Sequence, residues 1–329
     1  MDINRRVKLM VKAGEFIVSQ NPQWLKAKEV AYHKNSWFIP DFINAAAENI
    51  KRNFLDEQIL NQWIKYYHLD DNILPKTVGI IMAGNIPMVG FHDLLSVFIC
   101  GHKQIIKLSS KDDVLLKSIV EFLASIENDI NNYISFADSL QGCDAYIATG
   151  SNTSAEIFRQ YFSKYPNIIR KGRTSVAVLS GNETPEQLNN LSDDVHMYFG
   201  RGCRSVTHLY VPQEYDFIPL LDSFKKYDYF IEHFKYKNNY DFQLSLVLMN
   251  KNFYMTNGTT ILLEQESLFP PPAVVYYTYY DHENSLRNLK DDDNIQCVVG
   301  KNIDFGDSQA PGIFNYADDI DTMQFLLSL

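Results

Sequence analysis

The chain of 329 residues carries 30 Lys and Arg against 40 Asp and Glu, a net charge of -10 that leaves no basic excess to neutralise phosphates and argues against nucleic acid as a partner. Its 46% hydrophobic and 21% charged residues are globular values, with length enough for a large core and two domains. No apolar run approaches a membrane span, and residues 1–6 do not lead into a signal-peptide core, so a cytoplasmic protein is expected.

Residues 1–70 read as helices. Val7, Met10, Val11, Phe16 and Ile17 recur at helical spacing over 5–18. Pro40 suits the first position of the next helix, and Leu60, Trp63, Ile64 and Tyr67 share one face of 55–67. From Thr77 short apolar runs alternate with helical stretches. The strands are 78–83, 104–108, 145–148, 175–179 and 206–211; the helices are 91–100, 112–126, 153–162, 185–199 and 217–230. Such alternation predicts βαβ units and parallel sheet, with ligand sites at the carboxyl ends of strands. Further strands are expected at 259–263, 273–279 and 296–299, and Asp291, Asp292 and Asp293 form a solvated turn.

The four cysteines, Cys100, Cys143, Cys203 and Cys297, form no CxxC pair and no cluster of zinc spacing, so they read as reduced thiols and no metal is expected. Cys203 differs in its surroundings, Gly200-Arg201-Gly202-Cys203-Arg204-Ser205. Glycines give a substrate room, arginines favour a thiolate, and backbone N–H groups can hold an oxyanion. Taken alone, the hexapeptide fits an inert buried cysteine better. The common nucleotide fingerprints fail: Gly200-x-Gly202 lacks a third Gly and precedes a strand, and the segment from Gly84 to Gly90 has no following Lys.

Four other segments stand at strand ends. Met82-Ala83-Gly84-Asn85-Ile86-Pro87 offers an Asn amide, or is a turn before Pro. In Lys107-Leu108-Ser109-Ser110-Lys111 a lysine reaches a ribose or phosphate, or is a surface residue. Thr149-Gly150-Ser151 opens a helix that faces a phosphate, or is an ordinary N-cap. Gln265-Glu266-Ser267-Leu268-Phe269-Pro270 holds ribose hydroxyls through Glu266, or is a loop.

In their order and spacing these segments resemble the aldehyde dehydrogenase superfamily, and most of all its acyl-CoA reductase (LuxC-like) branch, over about residues 77–275. The resemblance implies an α/β fold of two Rossmann-like, three-layer domains behind an N-terminal helical segment, with the family's β-flap missing because only 69–76 are available for it. It implies a nucleotide-binding domain with the helices over 1–170, a catalytic domain over 171–305, and a tail over 306–329. Cys203 matches the catalytic thiol, and Asn85 the amide that joins the Cys203 N–H in an oxyanion hole. Gly84, Lys107, Ser109, Ser110, Lys111, Thr149, Gly150 and Ser151 match the cofactor site, and Glu266 the nicotinamide-ribose ligand, with Ser267 the alternative in that register.

Two departures refine the expectation. Ile169 occupies the place of the glutamate that activates water in hydrolytic relatives, which favours acyl transfer to and from a thiol over release of a free acid. Ser110, followed by Lys111, occupies the place of an acid that repels a 2′-phosphate, which favours NADPH while allowing NADH. The expected activity is NAD(P)H-dependent reduction of a fatty acyl thioester, on CoA or a protein, to an aldehyde. An acyl-activating or acyl-carrier partner fits that chemistry. An oxidative aldehyde dehydrogenase and a non-catalytic acyl-carrier-binding scaffold are the alternatives.

Overall fold

A computed structural model describes residues 1–329, with every side chain except those of residues 283–285. The chain divides into two compact units, Met1–Gly172 with Pro311–Leu329, and Arg173–Ala310.

In the first unit four helices precede any strand: α1 (Ile3–Ile17), α2 (Pro22–Lys34), α3 (Pro40–Phe54) and α4 (Glu57–Tyr66). Side chains of Asp2, Asn21 and Asp56 cap three of them, and Pro40 opens α3 as its position predicts. The stripe read from the sequence is the buried face of α1, where Val7, Met10, Phe16 and Ile17 lie in the core. Beyond them come β1 (Thr77–Ile81), α5 (Phe91–Cys100), β2 (Lys103–Lys107), α6 (Leu115–Ile126), β3 (Ile134–Phe136), β4 (Ala145–Thr149), α7 (Asn152–Phe162) and β5 (Asn167–Arg170). The strands form one parallel sheet in the order β3-β2-β1-β4-β5. Strand order reverses between β1 and β4, and at such a reversal the loops diverge and open a crevice at the carboxyl ends.

Residues 311–329, set apart in the sequence as part of a tail, belong to this first unit. Trp63 Nε1 donates to the Tyr316 hydroxyl at 2.8 Å, and Nε2 of His102 lies 3.0 Å from the Leu326 carbonyl. Buried Arg170 pairs with Asp93 at 2.7 Å and donates to the Thr322 hydroxyl of the last helix, Thr322–Leu327, at 2.8 Å.

The second unit contains β6 (Thr174–Val178), α8 (Pro185–His196), β7 (Val206–Pro212), α9 (Ile218–Phe224), α10 (Phe234–Met249), β8 (Met255–Thr256), β9 (Ile261–Glu264), β10 (Val274–Tyr280) and β11 (Ile295–Val299). Its sheet runs β11-β6-β7-β10-β9-β8, parallel except for the β8–β9 pair. Leu209, Val211, Leu262 and Tyr277 of this sheet pack with Leu191 of α8 and Phe224 of α9.

Three helices differ from their sequence patterns. The one expected from 112 begins at Leu115, because Asp112 is folded into the preceding loop. The one expected over 185–199 ends at His196, because Tyr198 and Phe199 adopt φ of 56° and 57°. The one expected over 217–230 gives way to a 3-10 segment at Lys225–Glu232. Among the described residues no helix is long and apolar enough to cross a membrane, and no group of three or more His, Cys, Asp or Glu is placed to hold a metal.

Candidate active site

In the first unit the expected cofactor residues lie at the carboxyl ends of the adjacent strands β2, β1 and β4 or on the loops that follow them. Gly84 and Asn85 follow β1, with Gly84 buried and Asn85 half-buried. A side chain at Gly84 would place its Cβ 2.7 Å from Cβ and Oγ of Ser109, so the two loops approach this closely only with glycine there. Lys107 is the exposed last residue of β2, and Ser110 and Lys111 are exposed beyond it. Ser109 Oγ accepts the Lys111 N–H at 3.3 Å, which curls this loop on itself. After β4, Gly150 donates its N–H to the Arg170 carbonyl at 3.2 Å, and Ser151 caps α7 by accepting the Ser154 N–H at 3.3 Å.

Asp112 joins the first two loops. Its Oδ2 accepts the Met88 N–H at 2.7 Å, and its own N–H donates to the Ser109 carbonyl at 3.0 Å. Met88 has φ of 56°, unusual for a non-glycine residue. The carboxylate therefore holds a left-handed turn three residues beyond Asn85. Its Oδ1 is buried without a hydrogen-bond partner among the described residues, and burial pushes Asp112 up to about 7, against the pull of the Met88 N–H.

In the second unit the thiol sits on a turn between α8 and β7. Tyr198, Phe199 and Gly200 are three consecutive left-handed residues, with φ of 56°, 57° and 68°. Strained backbone of this kind persists where the surroundings over-determine it, as they do here. Ser205 donates its N–H to the Gly202 carbonyl and accepts the Gly202 N–H on Oγ, both at 3.1 Å. Gln309 Nε2 reaches Ser205 Oγ at 3.3 Å, and Ser175 Oγ donates to the Cys203 carbonyl at 3.0 Å. Gln309 is itself fixed by buried Asp194, whose carboxylate accepts the N–H groups of Gly306 and Ser308 at 2.6 and 3.0 Å. Burial pushes Asp194 up to about 6.

Cys203 is half-buried, whereas Cys100, Cys143 and Cys297 are buried. Burial raises all three of the latter, Cys100 to about 12. Arg201, expected to favour a thiolate at Cys203, is itself lowered by burial. The charge of Arg204 acts to lower Cys297.

Glu266 is exposed on the segment that joins β9 to β10. Ser267 beside it is also exposed, and its carbonyl lies 3.0 Å from Nδ1 of buried His208.

Sequence reasoning did not single out Asp112, Ser175, Asp194, His208 or Gln309. Each is a buried polar residue, a class that keeps its place only with hydrogen-bond partners. Those partners are distant in sequence, as Ser175 is from Cys203 and Gln309 from Ser205. Only their polarity within or beside apolar stretches signalled them.

The fold is shared with known enzymes. Aldehyde dehydrogenase 21 from Physcomitrella patens, solved with the reaction product succinate, superposes with a TM-score of 0.67 at 12% identity, covering 100% of this chain and 84% of that one. Aldehyde dehydrogenase from Bacillus cereus gives 0.66 at 13% identity, with 94% and 74% covered. Indole-3-acetaldehyde dehydrogenase AldA from P. syringae, solved with NAD+ and IAA, gives 0.65 at 11% identity, with 91% and 72% covered. No curated protein matches the sequence. The model of the acyl-CoA reductase (LuxC) family matches residues 32–218, which is 187 of the 329 residues. With an aldehyde dehydrogenase fold and a family model matching more than half its length, the chain belongs to the acyl-CoA reductase (LuxC) family of oxidoreductases acting on aldehyde and acyl groups.

Proposed function

We propose that this protein reduces an acyl thioester to an aldehyde through an acyl-enzyme on Cys203. The observation that carries the reading is the thiol turn itself. Cys203 is half-buried where the other cysteines are buried, and its backbone is held by Ser175 and Ser205 after three left-handed residues. A nucleophile gains from such fixed geometry, because little reorganisation is then needed at the moment of attack.

In this reading the Cys203 thiolate attacks the thioester carbonyl. The Cys203 N–H and the Asn85 side-chain amide receive the developing oxyanion. The carbon–sulfur bond to the carrier breaks, and the carrier thiolate leaves. A bound nicotinamide cofactor supplies the hydride that reduces the acyl group. Hydride addition leaves a thiohemiacetal alkoxide on Cys203, which collapses: the carbonyl re-forms, the bond to Cys203 breaks, aldehyde departs and the Cys203 thiolate is restored. Ile169, in β5, offers no base to activate water, so hydrolysis of the acyl-enzyme is disfavoured.

The first unit is assigned the nucleotide, and the second the covalent chemistry. Glycine at 84 supports this reading by letting the loop after β1 lie directly against Ser109, and Lys107, Ser110 and Lys111 stand exposed at the neighbouring strand end. Thr149, Gly150 and Ser151 are assigned the cofactor's phosphates, and Glu266 the nicotinamide ribose. Ser110 and Lys111 supply a hydroxyl and a cation where a 2′-phosphate would lie, which supports NADPH as the preferred cofactor. Substrate is acyl-CoA or an acyl-protein thioester.

The test is acyl transfer without cofactor. Incubation with an acyl-CoA should leave one acyl group on the protein, mapped to Cys203 by mass spectrometry, and added NADPH should discharge it as aldehyde. Acylation elsewhere, or discharge as free acid, would overturn the reading.

A further inference from the structure

The segment between β9 and β10 is short for what it joins. These strands are parallel neighbours, yet only residues 265–273 connect them, nine residues without a helix. A parallel connection ordinarily takes about a dozen residues or more, usually with a helix to bury against the sheet. Here the segment has no helix of its own to fix it, and side chains from the sheet hold it instead.

Two such side chains are placed to do so, with Thr278 behind one of them. Thr207 Oγ1 donates to the Leu268 carbonyl at 2.8 Å. His208 Nδ1 lies 3.0 Å from the Ser267 carbonyl, which only accepts, so Nδ1 carries the proton. Burial lowers the His208 pKa and favours the neutral ring, leaving a lone pair on Nε2. That nitrogen lies 2.9 Å from Thr278 Oγ1, whose hydroxyl donates to it. The same hydroxyl stands 3.2 Å from the Gln265 carbonyl. The carbonyls of residues 267 and 268 are therefore gripped by side chains, the Gln265 N–H donates to the Tyr277 carbonyl at 3.1 Å, and Glu266 is the exposed residue between the grips. Thr207 and His208 stand near the head of β7, four and five residues beyond Cys203.

We propose that His208 is a positioning residue for the nicotinamide cofactor, fixing the loop on which Glu266 is presented. This rests on the reading of Glu266 as the ribose ligand. His208 touches no reacting atom; it acts through the Ser267 carbonyl.

The experiment compares His208→Leu, His208→Gln and Glu266→Gln with the unaltered protein. Direct fluorescence titration gives the dissociation constant of NADPH, and acylation of Cys203 by acyl-CoA is timed without cofactor. His208→Leu should weaken NADPH binding about tenfold, the worth of a lost buried hydrogen bond, while acylation stays within about twofold. His208→Gln should recover most of the affinity, since its amide can donate to Ser267 and accept from Thr278. If His208→Leu does not fold, Thr207→Val removes the neighbouring grip and should weaken NADPH in the same direction. Unchanged binding in a folded His208→Leu, alongside weakened binding in Glu266→Gln, overturns this proposal alone. Unchanged binding in Glu266→Gln removes the ribose reading and this proposal with it.

Discussion

The Ser175 hydroxyl donates to the carbonyl of Cys203 at 3.0 Å and stands 2.8 Å from the sulfur of Cys297. One small side chain near the start of β6 thus ties the turn of the half-buried thiol to a strand that carries a buried one. Replacing it with alanine leaves the carbonyl without this donor, at a cost of about 1–3 kcal/mol. Ser175→Ala should lower the melting temperature and slow acylation of Cys203 several-fold, leaving NADPH affinity unchanged. An acylation rate equal to that of the unaltered protein would show that the turn holds its shape without the hydroxyl.

Thiol reactivity separates the cysteines. Burial raises Cys100, Cys143 and Cys297, which keeps them protonated at neutral pH, while Cys203 alone is half-buried. A maleimide or iodoacetamide should label Cys203 first, and acyl-CoA should protect it. Cys203→Ala should abolish thioester reduction while retaining the fold and cofactor binding. Turnover by that variant comparable to the original would rule out the covalent route.

Cofactor preference is tested at Ser110. Glutamate there sets a carboxylate where the 2′-phosphate of NADPH is proposed to lie, a repulsion of roughly 1–3 kcal/mol if water is partly excluded. Ser110→Glu should therefore weaken NADPH more than NADH in parallel titrations. A constant ratio of the two affinities would place Ser110 away from the adenosine ribose.

Asp112 gives a pH signature. Its folded value of about 7 lies above the ordinary 3.8, so the folded protein holds the proton more tightly than the unfolded chain. The stability linked to that proton is fully present below 3.8 and is lost as pH rises through about 7. Asp112→Asn cannot ionise there. Thermal melts of the two proteins should diverge in favour of the variant as pH rises from about 4 to about 7, and run parallel above that. Parallel melting curves across that range would mean the carboxyl does not titrate there.

The strand and helix alternation was legible because buried parallel strands read as unbroken apolar runs, as Val78-Gly79-Ile80-Ile81 does. The short edge strands β3 and β5 carried too few apolar residues to stand out. Helix α10 was missed because its apolar residues do not share a face: Tyr236 and Tyr240 are buried, while Phe234, Phe242 and Met249 are exposed. The end of α8 was misjudged for a different reason. Tyr198 and Phe199 are not turn-formers, and only the surrounding fold drives them left-handed. Residues proposed to carry the chemistry, such as Cys203, Asn85 and Glu266, lay in recognisable local strings. Those that hold the loops in shape, such as Asp112 with Met88 or Gln309 with Ser205, are paired only by the fold.

The interrupted course of the first unit bears on how the protein is made. Its sheet is encoded before residue 172, yet Tyr316, Thr322 and Leu326 supply bonds to Trp63, Arg170 and His102. As the chain leaves the ribosome, residues 1–172 must wait for 311–329, while the second unit, 173–310, is one contiguous stretch. The second unit can thus mature before the stretch that precedes it, which stays open to chaperones and proteases until residues 311–329 arrive.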